Sequence, residues 1–222
     1  MHKFYQAILL PFMLFSSCDS ELKKKKVNIG LQVIDQFDKE NLQFLQKELK
    51  TFFGCEVTLL NPIQLPNSFI NTEKGKRYSA DSILRYLLKT RPDSIDYMLA
   101  LSSTDIFTSK KDETGQIKLP YEKYKVWGVL GLGFLPGHVC VISDCRMKTT
   151  NKLKFKHRLR TVAIHEIGHN LGLPHCSSIG CIMSDANEKI STVDESGKYY
   201  CDDCTSKVRA LHALPIKSLQ DH

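Results

Sequence analysis

A chain of 222 residues, 42% hydrophobic and 25% charged, has room for one domain with a sizeable core and is too apolar to stay disordered. The formal net charge is +7, but Lys23, Lys24, Lys25 and Lys26 carry four of those charges in one run, and the remaining +3 does not describe a nucleic-acid binder.

In chain order, Lys3 gives a short positive start and Phe4 to Phe15 is a mostly apolar stretch of 12 residues. That is too short for a membrane span of about 20 residues. Small Ser16 and Ser17 follow, then Cys18, so residues 1–17 read as a secretory signal peptide. A cysteine directly after such a site resembles the lipobox of bacterial lipoproteins, although Phe15 stands where an aliphatic residue is usual. The resemblance implies lipidation of Cys18, a polar tether over 18–26, and an exported, membrane-anchored protein in the periplasm or at the cell surface. The plainer alternative is a simple signal peptide in which Cys18 is incidental.

Residues 27–222 read as a single domain. Val27 to Ile34 is rich in β-branched residues and predicts a strand. Lys39 to Phe53 has the apolar spacing of an amphipathic helix and stops at Gly54. Val57 to Leu60 predicts a second strand, and Asn61 to Lys76, with Pro62, Pro66 and Gly75, a loop. Ser79 to Lys89 predicts a helix and Ile95 to Leu101 a buried strand. This β-α-β-α-β order predicts an α/β fold with a mainly parallel sheet and crossover helices. Thr104 to Lys125 is polar and predicts a surface connection. Trp127 to Ile142 is two apolar runs split by Pro136-Gly137, a hairpin pattern. Gly131 to Leu135 within it is the candidate edge strand for an extended substrate. Lys152 to Leu173 is the longest helical pattern, and a short helix is expected near Ser206 to Leu214.

His165-Glu166-Ile167-Gly168-His169 fits H-E-x-x-H within that long helix. Residues i and i+4 share a helix face, so the two imidazoles point together and one zinc can bridge them. Glu166 is displaced around the helix, where it can serve a zinc-bound water as general base without being a ligand. Gly172 permits a sharp turn, Pro174 prevents the helix from resuming, and His175 returns a third imidazole. Three protein ligands and one open position describe a catalytic zinc site.

Eight cysteines are present. Cys176 and Cys181 form one close pair, and Cys201 and Cys204 a second in C-x-x-C spacing, which matches a closed, structural zinc site. The segment around them has few large apolar residues, and a metal could replace the missing core. Export leaves two disulfides as the alternative. Cys55, Cys140 and Cys145 are left over, with a Cys140–Cys145 bridge as a weak option. His138, His157 and His212 read as ordinary surface or core residues.

The string H-E-x-x-H-x-x-G-x-x-H-C-x4-C-x-M-x17-C-x-x-C, from His165 to Cys204, resembles the archaemetzincin family of zinc metallopeptidases. The resemblance implies a metzincin-like fold: a mixed, twisted sheet with an edge strand, an active-site helix beneath it and a zinc-stapled C-terminal segment. It implies two Zn2+ per chain, a catalytic one on His165, His169 and His175 with Glu166 as base, and a structural one on Cys176, Cys181, Cys201 and Cys204. It also makes Met183 the methionine of the turn beneath the catalytic zinc, where spacing alone suggests only a gap-filling apolar residue.

The expected function is therefore zinc-dependent hydrolysis of peptide bonds in a peptide or protein substrate. The alternative is a weak or silent zinc-binding protein that keeps the fold. No nucleic-acid partner is expected, because Asp185, Glu188, Asp194, Glu195, Asp202 and Asp203 surround the cysteines. The expected state is a monomer whose only membrane contact is its lipid.

Overall fold

The computed structural model describes residues 26–185, 189–212, 214–216 and 218. The proposed signal peptide, Cys18 and all but the last residue of the tether lie outside the described residues. The elements are β1 (Asn28–Val33), α1 (Lys39–Phe53), β2 (Glu56–Leu59), β3 (Ile70–Asn71), β4 (Arg77–Ser79), α2 (Ala80–Thr90), β5 (Tyr97–Ser102) and β6 (Asp105–Thr108). They continue with α3 (Tyr121–Tyr124), β7 (Trp127–Val129), β8 (Gly131–Gly133), β9 (Val139–Ser143), α4 (Lys152–Asn170), α5 (Ile190–Glu195) and α6 (Asp202–His212).

The main sheet has five strands in the order β2-β1-β5-β9-β8. The first four are parallel to their neighbours, and β8 joins antiparallel at the edge. This is the expected mixed α/β sheet with an edge strand. Side chains alternate between its faces with the period of two that a pleat imposes. On β5, Tyr97, Leu99 and Leu101 enter a core with Leu45, Leu49 and Phe53 of α1 and Val162, Ala163 and Ile167 of α4. Met98 and Ala100 enter a second core with Ile83, Leu84 and Leu87 of α2. Helices α1, α2 and α4 start on side-chain caps: Asp38 accepts from the Asn41 N–H, Ser79 from Ser82, and Asn151 from Lys154.

Four expectations need correction. Thr104 to Lys125 is not merely a surface connection, because it contains β6 and α3, and the loop over Asn61 to Lys76 contains β3. With β4 and β7 these strands form a second sheet, ordered β3-β4-β6-β7. Its strands have two to four residues, too few to show a period, and only Tyr78 and Ile106 among them are fully buried. The first apolar run of the hairpin is divided between the sheets: β7 pairs with β6, and β8 pairs with β9. The C-terminal helix starts at Asp202, earlier than its apolar residues suggest, with Asp202 and Asp203 in the first turn, where the helix dipole favours acids.

Beyond α4 the chain is held by polar ties. Arg158, buried on α4, donates to Asp194 of α5 at 2.5 and 2.8 Å and to the Met147 carbonyl at 3.0 Å, and Lys154 lies 2.9 Å from the same carboxylate. Arg158 first, with Lys154 assisting, holds the Asp194 carboxyl down to about 2 from an ordinary 3.8. A carboxyl lowered in the folded state contributes stability above its unfolded value and loses it as pH falls through the folded one. Asp194→Asn is therefore expected to cost about 2 kcal/mol at pH 7. In denaturant melts the gap between variant and wild type should close as pH drops from about 4 to about 2.

Candidate metal centre

The C-terminal half of α4 carries His165 and His169 on one face, with ring centroids 4.6 Å apart and the planes nearly perpendicular. The helix ends at Asn170, and Gly172 adopts φ +88°, a conformation that reverses the chain cheaply only without a Cβ. His175 returns to 5.3 Å from the His165 ring and 5.0 Å from the His169 ring. One ligand atom from each of the three lies within 4.8 Å of the others.

Hydrogen bonds fix the state of two of these rings. His165 Nδ1 lies 2.8 Å from the Ile182 carbonyl, and His169 Nδ1 lies 2.8 Å from the Leu173 carbonyl. A carbonyl only accepts, so each Nδ1 carries the proton and each Nε2 keeps its lone pair. Burial, with the neighbouring His169 second, pushes His165 down to about 4, and burial also lowers His169. Both are neutral at pH 7, the form that binds a metal. A carbonyl-oriented imidazole is also the usual outer support of a zinc ligand. The donor set therefore fits zinc.

Glu166 is buried between α4 and β8. An added Cβ on Gly131 would come 2.5 Å from Glu166 Oε1, and one on Gly133 3.3 Å from Oε2. The strand meets the carboxylate through its glycines. Burial alone pushes the carboxyl up to about 8. Met183, fully buried, packs beneath α4 at Gly168, between the two helical histidines, beside Tyr200, whose hydroxyl donates to the Ile164 carbonyl at 2.9 Å.

Cys176, Cys181, Cys201 and Cys204 form the second cluster, with ligand atoms within 4.8 Å of one another. The Cys176–Cys201 sulfurs are 3.7 Å apart and the Cys181–Cys204 sulfurs 3.9 Å, far beyond a disulfide bond of about 2.05 Å. All seven described cysteines are free thiols, so neither the two-disulfide alternative nor a Cys140–Cys145 bridge is formed. The Cys204 thiol first, then the Cys201 and Met183 N–H groups, draw Cys181 down towards the thiolate against its burial. Four converging sulfurs fit a closed tetrahedral zinc site.

Residues 182–183 link the two clusters. The Ile182 carbonyl orients His165, while the Met183 carbonyl accepts the Cys176 N–H at 2.8 Å. His138, His157 and His212 stand apart: their rings bond to the carbonyls of Asp96, Val193 and Leu171 respectively. A cleft of about 780 Å³ opens over the histidines, lined by β7, β8, α4, Arg146, Ile182, Ser184 and Asp185. Sequence reasoning missed Trp127 and Arg146, which no local motif marks. It also missed why Gly131 and Gly133 are glycines, although small residues at alternate strand positions signal a close approach on one face.

The profile of peptidase family M54 matches residues 24–210. The archaemetzincin of Methanocaldococcus jannaschii is 30% identical over 190 residues, which cover 82% of this chain and 93% of that protein. The crystal structure of archaemetzincin from Archaeoglobus fulgidus, complexed with malonate, matches with a TM-score of 0.66 at 26% identity, over 82% of this chain and 99% of that one. Archaemetzincin from Methanopyrus kandleri, at 22% identity, shares the fold with a TM-score of 0.68, over 83% of this chain and 94% of that one.

Proposed function

The chain belongs to peptidase family M54 and is a zinc metallopeptidase, and from that premise we propose that it hydrolyses peptide bonds at the histidine cluster with Glu166 as general base. His165, His169 and His175 would hold the catalytic zinc, and Cys176, Cys181, Cys201 and Cys204 a structural one, two ions per chain. When bound, the catalytic ion supplies a Lewis acid that polarises the scissile carbonyl and acidifies a water.

The remaining work falls to the chain. An extended substrate adds to the free edge of the main sheet at β8, where backbone groups are available to pair. Glu166 takes the proton of the attacking water on a carboxylate oxygen and returns it to the leaving amine nitrogen. Burial raises its basicity towards the working pH, where proton transfer is most effective, and a zinc ion held by His165, His169 and His175 would favour its ionised form. Met183 closes the underside of the site with an apolar surface. We also propose that residues 1–17 direct export and that lipid on Cys18 tethers, through 18–26, a single monomeric catalytic domain spanning 27–222.

The observation that carries the reading is the buried Glu166 carboxyl beside three convergent imidazoles in an open cleft. Its test is a peptide-library digest with the zinc-loaded protein, read by mass spectrometry. Cleavage abolished by a chelator and restored by zinc is expected; no cleavage of any peptide would favour a silent zinc-binding protein. The packing of β8 on Glu166 adds a second expectation. Gly131→Ala should lower kcat/KM about 100-fold with zinc content unchanged, because it displaces the base by about 1 Å without touching a ligand.

A further inference from the structure

The cleft has a charged end that peptide-bond hydrolysis does not require. At β7, Arg146 lines the cleft with Trp127 and Gly128. Its Nε and Nη2 donate to the two oxygens of Asp105 at 2.7 and 2.8 Å, which fixes the guanidinium plane. Arg77 Nε lies 2.9 Å from the same carboxylate. Two guanidinium groups share one carboxylate, so a full positive charge is left over. The guanidinium rests against Gly128, at a place where a Cβ would collide with it. The side chain is still 37% exposed. Lys110 and Lys123 add ammonium groups 5.3 and 5.7 Å from the Trp127 ring centre. At the histidine end of the same cleft the charged side chains are Glu166 and Asp185.

From this polarity, and resting on the peptidase reading, we propose that Arg146 is a specificity residue that binds a carboxylate of the peptide substrate. A fixed, partly desolvated guanidinium with donors to spare is built for a carboxylate rather than for a neutral side chain. Gly128 precedes Gly131, the glycine against Glu166, by three residues, or at most about 10 Å of extended chain. The recognised carboxylate therefore lies two to three residues from the scissile bond. It belongs either to an Asp or Glu side chain or to a free C-terminus.

The test uses the zinc-loaded protein and three matched fluorogenic peptides, with Glu, Gln or Lys at that distance, each as free acid and as C-terminal amide. Wild type should show kcat/KM about tenfold higher for Glu than for Gln, and lowest for Lys, with sensitivity to salt. If the terminal carboxylate is the group read, the advantage should instead follow the free acid over the amide. In Arg146→Gln the ratio should collapse to about one, and Arg146→Lys should restore part of it. No carboxylate advantage in wild type, or an advantage that survives Arg146→Gln, overturns the proposal. If wild type cleaves none of the peptides, the peptidase reading is what fails. The subsite is then judged by the affinities of the same peptides in fluorescence anisotropy, where equal Kd values for the Glu and Gln peptides, as acids and amides, overturn it.

Discussion

Glu166→Gln is expected to lower kcat for a fluorogenic peptide by about 10²- to 10⁴-fold while the protein keeps its full zinc content. The substitution keeps volume and polarity but removes the proton acceptor. The buried side chain has Gly131 and Gly133 against it, so the amide fits the same space. It is not among the residues whose ligand atoms converge on the histidine centre, so metal retention should not depend on it. Steady-state kinetics on one substrate, with elemental analysis of the same sample, separates the two quantities. A variant retaining activity within about threefold of wild type would remove Glu166 from the chemistry, since a lost general base costs far more than that.

Cys181→Ala should have the largest effect on stability. Cys181 is fully buried, and its sulfur accepts the Cys201 N–H at 3.3 Å and lies 3.9 Å from the Cys204 sulfur. If the four sulfurs hold a zinc ion as proposed, the variant cannot close that coordination, and the free energy of metal binding at the second cluster is lost. A fall of at least about 3 kcal/mol, about 6–12 °C in Tm, is expected in thermal melts. The damage should reach the first cluster as well. His175 adjoins Cys176, and the Met183 carbonyl that accepts the Cys176 N–H follows the Ile182 carbonyl that orients His165. Transfer of zinc to a chromophoric chelator should therefore be faster from both sites of the variant. Release unchanged at the histidine site would show that the clusters are energetically independent.

What could be read in the sequence was what local spacing determines. His165 and His169 face one way because four residues make about one helical turn. Gly172 and Pro174 announce the reversal that returns His175. The four cysteines were legible for the same reason, and their sulfurs do converge. The parallel strands β1, β5 and β9 were visible as apolar runs because both faces of each are buried. The second sheet was not, because β3, β4 and β6 are too short and too polar to carry a pattern, and β7 is the start of an apolar run that reads as one strand with β8. The walls of the cleft were hidden for a different reason. Trp127 and Gly128 come from β7 in one sheet, Gly131 from β8 in the other, and Arg146 from the turn after β9, so only long-range pairing brings them together. A bridge between Cys140 and Cys145 looked possible from their proximity in sequence. It fails because Cys140 is buried in β9 and Cys145 is exposed beyond the end of that strand.

The most direct measurement is the zinc stoichiometry of wild type and of His169→Ala, determined by elemental mass spectrometry on the samples used for peptide cleavage. Two zinc ions per wild-type chain, and one ion with no cleavage in the variant, are expected if the histidines hold the working metal and the cysteines a structural one. Two ions and undiminished cleavage in His169→Ala would contradict it.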